Sequence, residues 1–198
     1  MGGVIIDLSV DDTLEGFAAL SGYDRKKINQ LYTLSPEFLL YEKGMIDDDE
    51  FRTFIRKILG VNAASIDIDN AWNAMIRGLP LNKLQLLEKL KADYNVLLLS
   101  NTNAIHLTYI NGTILPAVVG DASSLDTYFH RAYYSHLMKK RKPDAEIFEE
   151  VLAESNILAS ETLFLDDNRD NITGAGKVGI KTAFVDTPNF ILDYFDEH

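Results

Sequence analysis

The sequence predicts an α/β protein: a Rossmann-like parallel sheet with a small all-helical segment inserted near its start. From Leu81 onward, segments of helix and strand character alternate, as a parallel sheet with crossover helices requires. Before residue 80 the texture changes. Apolar residues there fall at helical spacing, and no segment reads convincingly as a strand.

Four segments read as strands: Val96 to Ser100 (VLLLS), Ala132 to Ser135 (AYYS), Thr162 to Asp167 (TLFLDD) and Lys181 to Asp186 (KTAFVD). The first and third are continuous apolar runs, expected of strands covered on both faces. Leu81 to Ala92 sets Leu81, Leu84, Leu87 and Leu90 three apart, and Ala145 to Ser155 places Ile147, Phe148, Val151 and Leu152 on one side. The connections are short enough for right-handed crossovers. Within residues 10–78, Leu14, Phe17 and Leu20, then Phe51, Phe54, Ile55 and Ile58, keep helical spacing, and Asp47 to Glu50 supplies an acidic helix start. Residues 1–9 and 79–198 therefore read as the α/β core, and 10–78 as a helical cap too short for a domain of its own.

Bulk properties narrow the function. With no cysteine in 198 residues, disulfides and thiol chemistry are excluded. No apolar stretch approaches the ~18 residues of a membrane span, and no secretory signal is visible, so a cytoplasmic protein without membrane association is expected. Asn111-Gly112-Thr113 and Asn171-Ile172-Thr173 match glycosylation acceptors by chance on that reading. A net charge of −11 argues against a nucleic-acid partner, which needs a broad basic face. An anionic substrate needs a local positive site, for which Lys139-Lys140-Arg141-Lys142 is the one basic cluster.

In open α/β sheets, ligands bind beyond the carboxyl ends of the strands. Ser100 and Asn101 end VLLLS, Asp166 and Asp167 end TLFLDD, and Lys142 follows AYYS by seven residues, just before Pro143. Paired carboxylates suit a hard cation such as Mg²⁺, and a lysine and a hydroxyl nearby complete a phosphate site. Each taken singly also reads as a turn, a helix cap or a surface charge.

Together, in this order, they resemble the haloacid dehalogenase-like superfamily of phosphotransfer hydrolases, through "LLLSN", "KKRKPDAEIF" and "LFLDDNRDNITGAGKVGIKT". The resemblance covers nearly the whole chain and implies an Mg²⁺-dependent phosphatase of a small phosphorylated metabolite, working through an aspartyl-phosphate. It implies that Ser100 hydrogen-bonds the transferring phosphoryl group with Asn101 beside it, and that Lys142 neutralises charge on nucleophile and phosphoryl oxygens. Asp167 would bind Mg²⁺, Asp166 would support the metal or Lys142, and the helical cap would exclude water. A dehalogenase has the same fold without the metal, and a phosphatase-like binding protein is the non-enzymatic alternative. Tyr32, Phe38, Tyr41 and Trp72 are aromatics that either line the site or form cap core.

The superfamily's first motif, which carries the nucleophilic aspartate, is the weak point. In one reading Val4-Ile5-Ile6 is the strand and Asp7 the nucleophile, with Ser9 and Asp11 in the following motif positions. In the favoured reading, "MGGVIIDLSVDDTLEGF" resembles the segment just after the nucleophile in phosphatases with an "FDLGGVLID" or "FDMGGVIID" motif. The glycines then belong to a turn close to phosphate, and the nucleophile and its buried strand lie upstream of Met1. On this reading the 198-residue chain is marginally stable unless Val4 to Ile6 fill the vacant lane. "GDASSLD", Gly120 to Asp126, imitates the acidic motif but lacks a proper preceding strand, and reads as loop.

Overall fold

The computed structural model describes residues 1–120 and 124–196. In chain order its elements are β1 (Asp7–Leu8), α1 (Val10–Ser21), α2 (Arg25–Leu34), α3 (Glu37–Glu42), α4 (Asp48–Leu59), α5 (Ser65–Asn73), β2 (Ile76–Gly78), α6 (Leu81–Asp93) and β3 (Leu97–Ser100). There follow α7 (Ala104–Tyr109), α8 (Leu115–Val119), β4 (Arg131–Tyr134), α9 (Ser135–Met138), α10 (Ala145–Ser155), β5 (Leu163–Asp166), α11 (Arg169–Lys177), β6 (Lys181–Phe184) and α12 (Phe190–Asp196). No described helix is long and apolar enough to cross a membrane.

The parallel α/β architecture is present. β3 pairs in parallel with β4, and β5 with β6, each over four residues in register. The four expected strands lie within two residues of their expected ends. β2 departs from the expectation of a strandless segment before residue 80, because it pairs antiparallel with β1. Its partner is two residues long, so no alternating pattern could have announced it. These two short strands mark where the chain enters and leaves the helical segment.

The helical segment is built on aromatic packing. Helix α4 starts on a capping box: the Asp47 carboxylate accepts from the Asp49 and Glu50 amides, and Glu50 Oε2 accepts from the Asp47 amide at 2.9 Å. This fixes the helix so that Phe51, Phe54, Ile55 and Leu59 face inward. The Phe51 ring stacks on Tyr41 at 4.1 Å and meets Trp72 at 5.1 Å, while Phe38 lies 5.4 Å from Phe54 and 5.6 Å from Trp72. Phe38, Tyr41 and Trp72 are thereby core residues. Tyr32 sits at the edge of the cluster, 4.7 Å from Phe38, and is only half-buried.

Two features of the α/β part differ from a closed parallel sheet. Among the described residues no backbone ladder joins the β3–β4 pair to the β5–β6 pair. Leu97, Leu99, Phe164 and Leu165 are half-buried and Leu163 is exposed, where strands covered on both faces were expected. Each of these strands has a ladder neighbour on one side only, which accounts for the exposure. Val4, Ile5 and Ile6 are buried but form no strand with either pair. They close a tight turn in which the Ile5 and Ile6 amides donate to the Met1 carbonyl and the Gly3 amide donates to the Ile6 carbonyl. Ala117 to Val119 end helix α8, and Leu125 to Tyr128 form a 3₁₀ turn. Asp121 to Ser123 of "GDASSLD" lie outside the described residues.

The Phe51 ring is fully buried and central to the aromatic cluster. Phe51→Ala is therefore expected to lower stability in urea unfolding by ~3–5 kcal/mol. A loss below ~1 kcal/mol would show that this cluster does not hold the helical segment together.

Candidate functional site

The carboxyl ends of β3 and β5 meet at one buried ion pair. Lys142 Nζ donates to Asp166 Oδ2 at 2.6 Å and to the Leu99 carbonyl at 2.9 Å, and lies 5.2 Å from the centre of the Phe164 ring. Both side chains of the pair are 4% exposed. An ammonium has three N–H groups, and the third has no partner among the described residues.

Sequence-local features set this geometry. The Asn101 side chain grips the Lys142 backbone from both sides: its Nδ2 donates to the Lys142 carbonyl at 3.0 Å, and its Oδ1 accepts from the Lys142 amide at 2.9 Å. The Asn101 side chain therefore positions the lysine. Behind Pro143, helix α11 approaches closely at Gly174, where a Cβ would stand 2.4 Å from the Pro143 carbonyl oxygen. No larger residue fits there without moving the backbone.

The remaining capacity of Asp166 is filled as well. Its Oδ1 accepts from the Asn168 amide and from Asn171 Nδ2, both at 2.9 Å. Burial alone would raise the Asp166 pKa, but the charge and hydrogen bond of Lys142, with help from Asn171, hold it below the usual carboxylate value.

Asp167, one residue on, has the opposite character. Its carboxylate makes no side-chain hydrogen bond among the described residues, and burial and then repulsion from Asp166 raise its pKa. The residue stays solvent-accessible, but the turn at Gly2-Gly3 crowds its carboxyl end. Gly3 has φ +71°, and a Cβ there would lie 1.8 Å from Asp167 Oδ2. The amino group of Met1 is enclosed in the same place. Its pKa falls to about 5, through burial and then through Lys142, against the pull of Asp166 and Asp167.

Ser100 is buried at the end of β3, and among the described residues its hydroxyl makes only a 3.4 Å contact with the Asn101 carbonyl. Ser100, Asn101, Lys142, Asp166 and Asp167 thus converge at the strand ends. The other basic residues of the cluster go elsewhere: Lys139 to the Gly44 carbonyl, Lys140 to Glu150, and Arg141 to Glu42. Asp7 also lies apart from this group, with Oδ1 3.2 Å from Lys83 Nζ, and Asp11 pairs with Arg25.

Two contributors escaped the sequence reading. Asn171, matched there only to a glycosylation acceptor, is buried and supports Asp166; its place five residues after Asp166, on the first turn of α11, is the signal that could have found it. Ser135, fully buried at the start of α9, accepts from the Thr102 amide at 2.9 Å and donates to the Glu42 carbonyl at 2.6 Å. It joins the turn after β3 to the helical segment, and nothing in its local sequence signals that.

The arrangement can hold a cation. Among the described residues no three His, Cys, Asp or Glu side chains form a metal cage. Mg²⁺ needs none, since it commonly binds one or two carboxylates and completes its shell with phosphate and water. The Asp167 carboxylate, which no other side chain engages among the described residues, fits that use, whereas both Asp166 oxygens are already engaged.

Removing one partner of the buried pair has a definite consequence. Asp166→Asn leaves Lys142 without its counter-charge, so a loss of ~3–5 kcal/mol is expected at neutral pH. Because the folded-state pKa of Asp166 lies below its unfolded value, its contribution is present above that unfolded value and vanishes as pH falls through the folded one. Urea unfolding at pH 7 and near pH 3 should show the gap between wild type and variant closing in acid. A constant gap would sink the assignment.

Comparison with known proteins accords with this geometry. A family model described as haloacid dehalogenase-like hydrolase matches residues 121–185. The D-ribitol-5-phosphate phosphatase of Bacteroides thetaiotaomicron is 30% identical over 181 residues, covering 91% of this chain and 86% of that protein. A haloacid dehalogenase family enzyme of the same organism, solved with magnesium and inorganic phosphate, superposes with a TM-score of 0.84 at 36% identity, over 93% of this chain and 90% of that one. A haloacid dehalogenase-like family hydrolase of Porphyromonas gingivalis gives a TM-score of 0.87 at 30% identity, over 99% and 93%. On this extent of similarity, together with the converging strand-end residues, the chain belongs to the haloacid dehalogenase-like hydrolase family.

Proposed function

We propose that the chain is an Mg²⁺-dependent phosphatase of a small phosphorylated metabolite. The observation that carries this reading is the buried Lys142 ammonium, held by Asp166 and the Leu99 carbonyl with one N–H uncommitted among the described residues, at the strand ends that also carry Ser100 and the Asp167 carboxylate. Such a set holds a phosphoryl group and the charge it develops on transfer. Ser100 and the free N–H of Lys142 bind phosphoryl oxygens; Asn101 and Asp166 position Lys142; Asp167 holds Mg²⁺. The metal, when bound, supplies charge neutralisation at the phosphoryl oxygens. Residues 10–78 act as the cap that excludes water. The relative that acts on D-ribitol 5-phosphate and the neighbour solved with magnesium and phosphate support the reading.

In the reaction, an aspartate oxygen attacks phosphorus and the ester oxygen leaves, taking up a proton; water then cleaves the acyl phosphate. We propose that the attacking aspartate is not Asp7 but belongs to a segment preceding Met1. Three observations favour this. Asp7 faces Lys83, the Met1 nitrogen lies beside Lys142, Asp166 and Asp167, and among the described residues no ladder joins β3 to β5. A binding protein that holds phosphate without cleaving it is the second reading, favoured by that same displacement of Asp7. The free carboxylate of Asp167 speaks against a metal-independent dehalogenase.

Turnover of p-nitrophenyl phosphate with Mg²⁺ tests the proposal. A chain extended upstream through an apolar strand ending in aspartate should exceed the 198-residue chain by about 10³-fold or more. Equal turnover by both would return the nucleophile to Asp7; phosphate binding without turnover in either would leave the binding-protein reading.

A further inference from the structure

The end of helix α3 grips the loop that carries Lys142 on both sides of the lysine. Before it, Lys139 Nζ donates to the Gly44 carbonyl, and Arg141 Nε donates to Glu42 Oε2 at 3.0 Å. After it, Lys43 Nζ donates to Asp144 Oδ2 at 3.0 Å. Consecutive residues of the helical segment, Glu42, Lys43 and Gly44, thus hold Arg141, Asp144 and Lys139 of the α/β part.

Local conformation at this junction serves the contact. Asp144 stands at the N-terminus of α10, where an aspartate ordinarily accepts from helix amides, yet its side chain makes no capping bond and turns to Lys43. Lys139, at the end of α9, holds φ +58°, which non-glycine residues seldom adopt. Gly44 has φ +60° and packs so closely on the His136 carbonyl that no side chain fits. The grip continues to the serine turn. The Glu42 carbonyl accepts from Ser135 Oγ at 2.6 Å, and that oxygen accepts at 2.9 Å from the Thr102 amide, two residues beyond Ser100.

We propose that Glu42 and Lys43 are positioning residues for the phosphoryl site: through Arg141 and Asp144 they fix the Lys142 loop, so the Lys142 ammonium is aimed correctly only while α3 holds it. Both ion pairs are partly exposed and contribute little to overall stability. Their effect is geometric, and loosening the grip weakens phosphate binding without unfolding the chain. The inference rests on the phosphate-binding reading given above.

The test is calorimetric titration of the 198-residue chain with inorganic phosphate in Mg²⁺, paired with urea unfolding. Glu42→Ala and Asp144→Ala should each weaken phosphate binding about three- to tenfold with the urea midpoint unchanged. Each removes a negative charge, which by electrostatics alone favours an anion, so weakening is the signature of lost positioning. Asp144→Glu keeps the pair with Lys43 and should bind phosphate within about twofold of wild type. Unchanged or tighter binding by both alanine variants would overturn the proposal, as would an Asp144→Glu variant as weak as Asp144→Ala. A loss of affinity matched by a fall in the urea midpoint would overturn it too, marking a merely structural contact. Failure of phosphate to bind the wild-type chain would instead overturn the phosphate-binding reading, and this inference with it.

Discussion

The buried pairing of Lys142 with Asp166 constrains the rest of the site. Removing an ammonium and a carboxylate from water is costly, and their mutual attraction repays that cost only with good geometry and satisfied remaining lone pairs and N–H groups. The surroundings meet this demand from two sequence segments, residues 99–101 and 168–171. The Leu99 carbonyl takes one lysine proton, Asn168 and Asn171 fill the second aspartate oxygen, and Asn101 fixes the lysine backbone. Gly174 lets α11 press against Pro143, which brings Asn171 and Asp166 to the lysine loop. None of these contacts can shift alone without stranding a buried charge.

The pair also explains why adjacent aspartates behave so differently. In a strand, successive side chains point to opposite faces, so at the end of β5 only one of Asp166 and Asp167 can join the lysine. Asp166 is neutralised by it, and Asp167 is left as an unneutralised carboxylate close to a negative neighbour. The glycine turn at Gly2-Gly3 then covers that carboxylate at a distance no side chain would permit. Excess negative charge beside a lysine with an open N–H supports a site that takes a cation and an anion together.

Legibility from sequence followed the range of the signal. The β3 and β5 strands and helices α6 and α10 were readable because their apolar patterns are continuous or periodic over several residues. Ser100, Lys142, Asp166 and Asp167 were readable because strand ends mark where ligands gather. The β1–β2 ladder was not, being too short to impose alternation. The division of labour between Asp166 and Asp167 depends on which oxygen the lysine reaches, and Ser135 acts through contacts with residues 33 and 93 positions away. Neither leaves a local pattern. The basic run Lys139 to Lys142 looked like one positive site, yet three of its members turn to partners fixed only by the fold.

What joins the two parallel pairs is chemistry rather than a ladder. In a parallel strand, alternate residues aim both backbone groups at the same neighbour. The Val96 carbonyl bonds the His130 amide beside β4, so Leu97 and Leu99 face the other way. The Thr162 and Asp166 carbonyls bond amides of Lys181 and Val185 beside β6, so Leu163 and Leu165 likewise face away from their partner strand. Among those outward groups, the Leu99 carbonyl is met by the Lys142 ammonium, whose other bond is to Asp166 on β5. One side chain thus ties the carboxyl ends of both pairs where a neighbouring backbone ordinarily would. The remaining outward groups lie on half-buried or exposed apolar strands, the arrangement that invites a further extended segment to pair. Lys142 therefore has two roles that follow from one geometry: it presents a cation at the strand ends, and it holds the strand ends close enough together for that cation to matter.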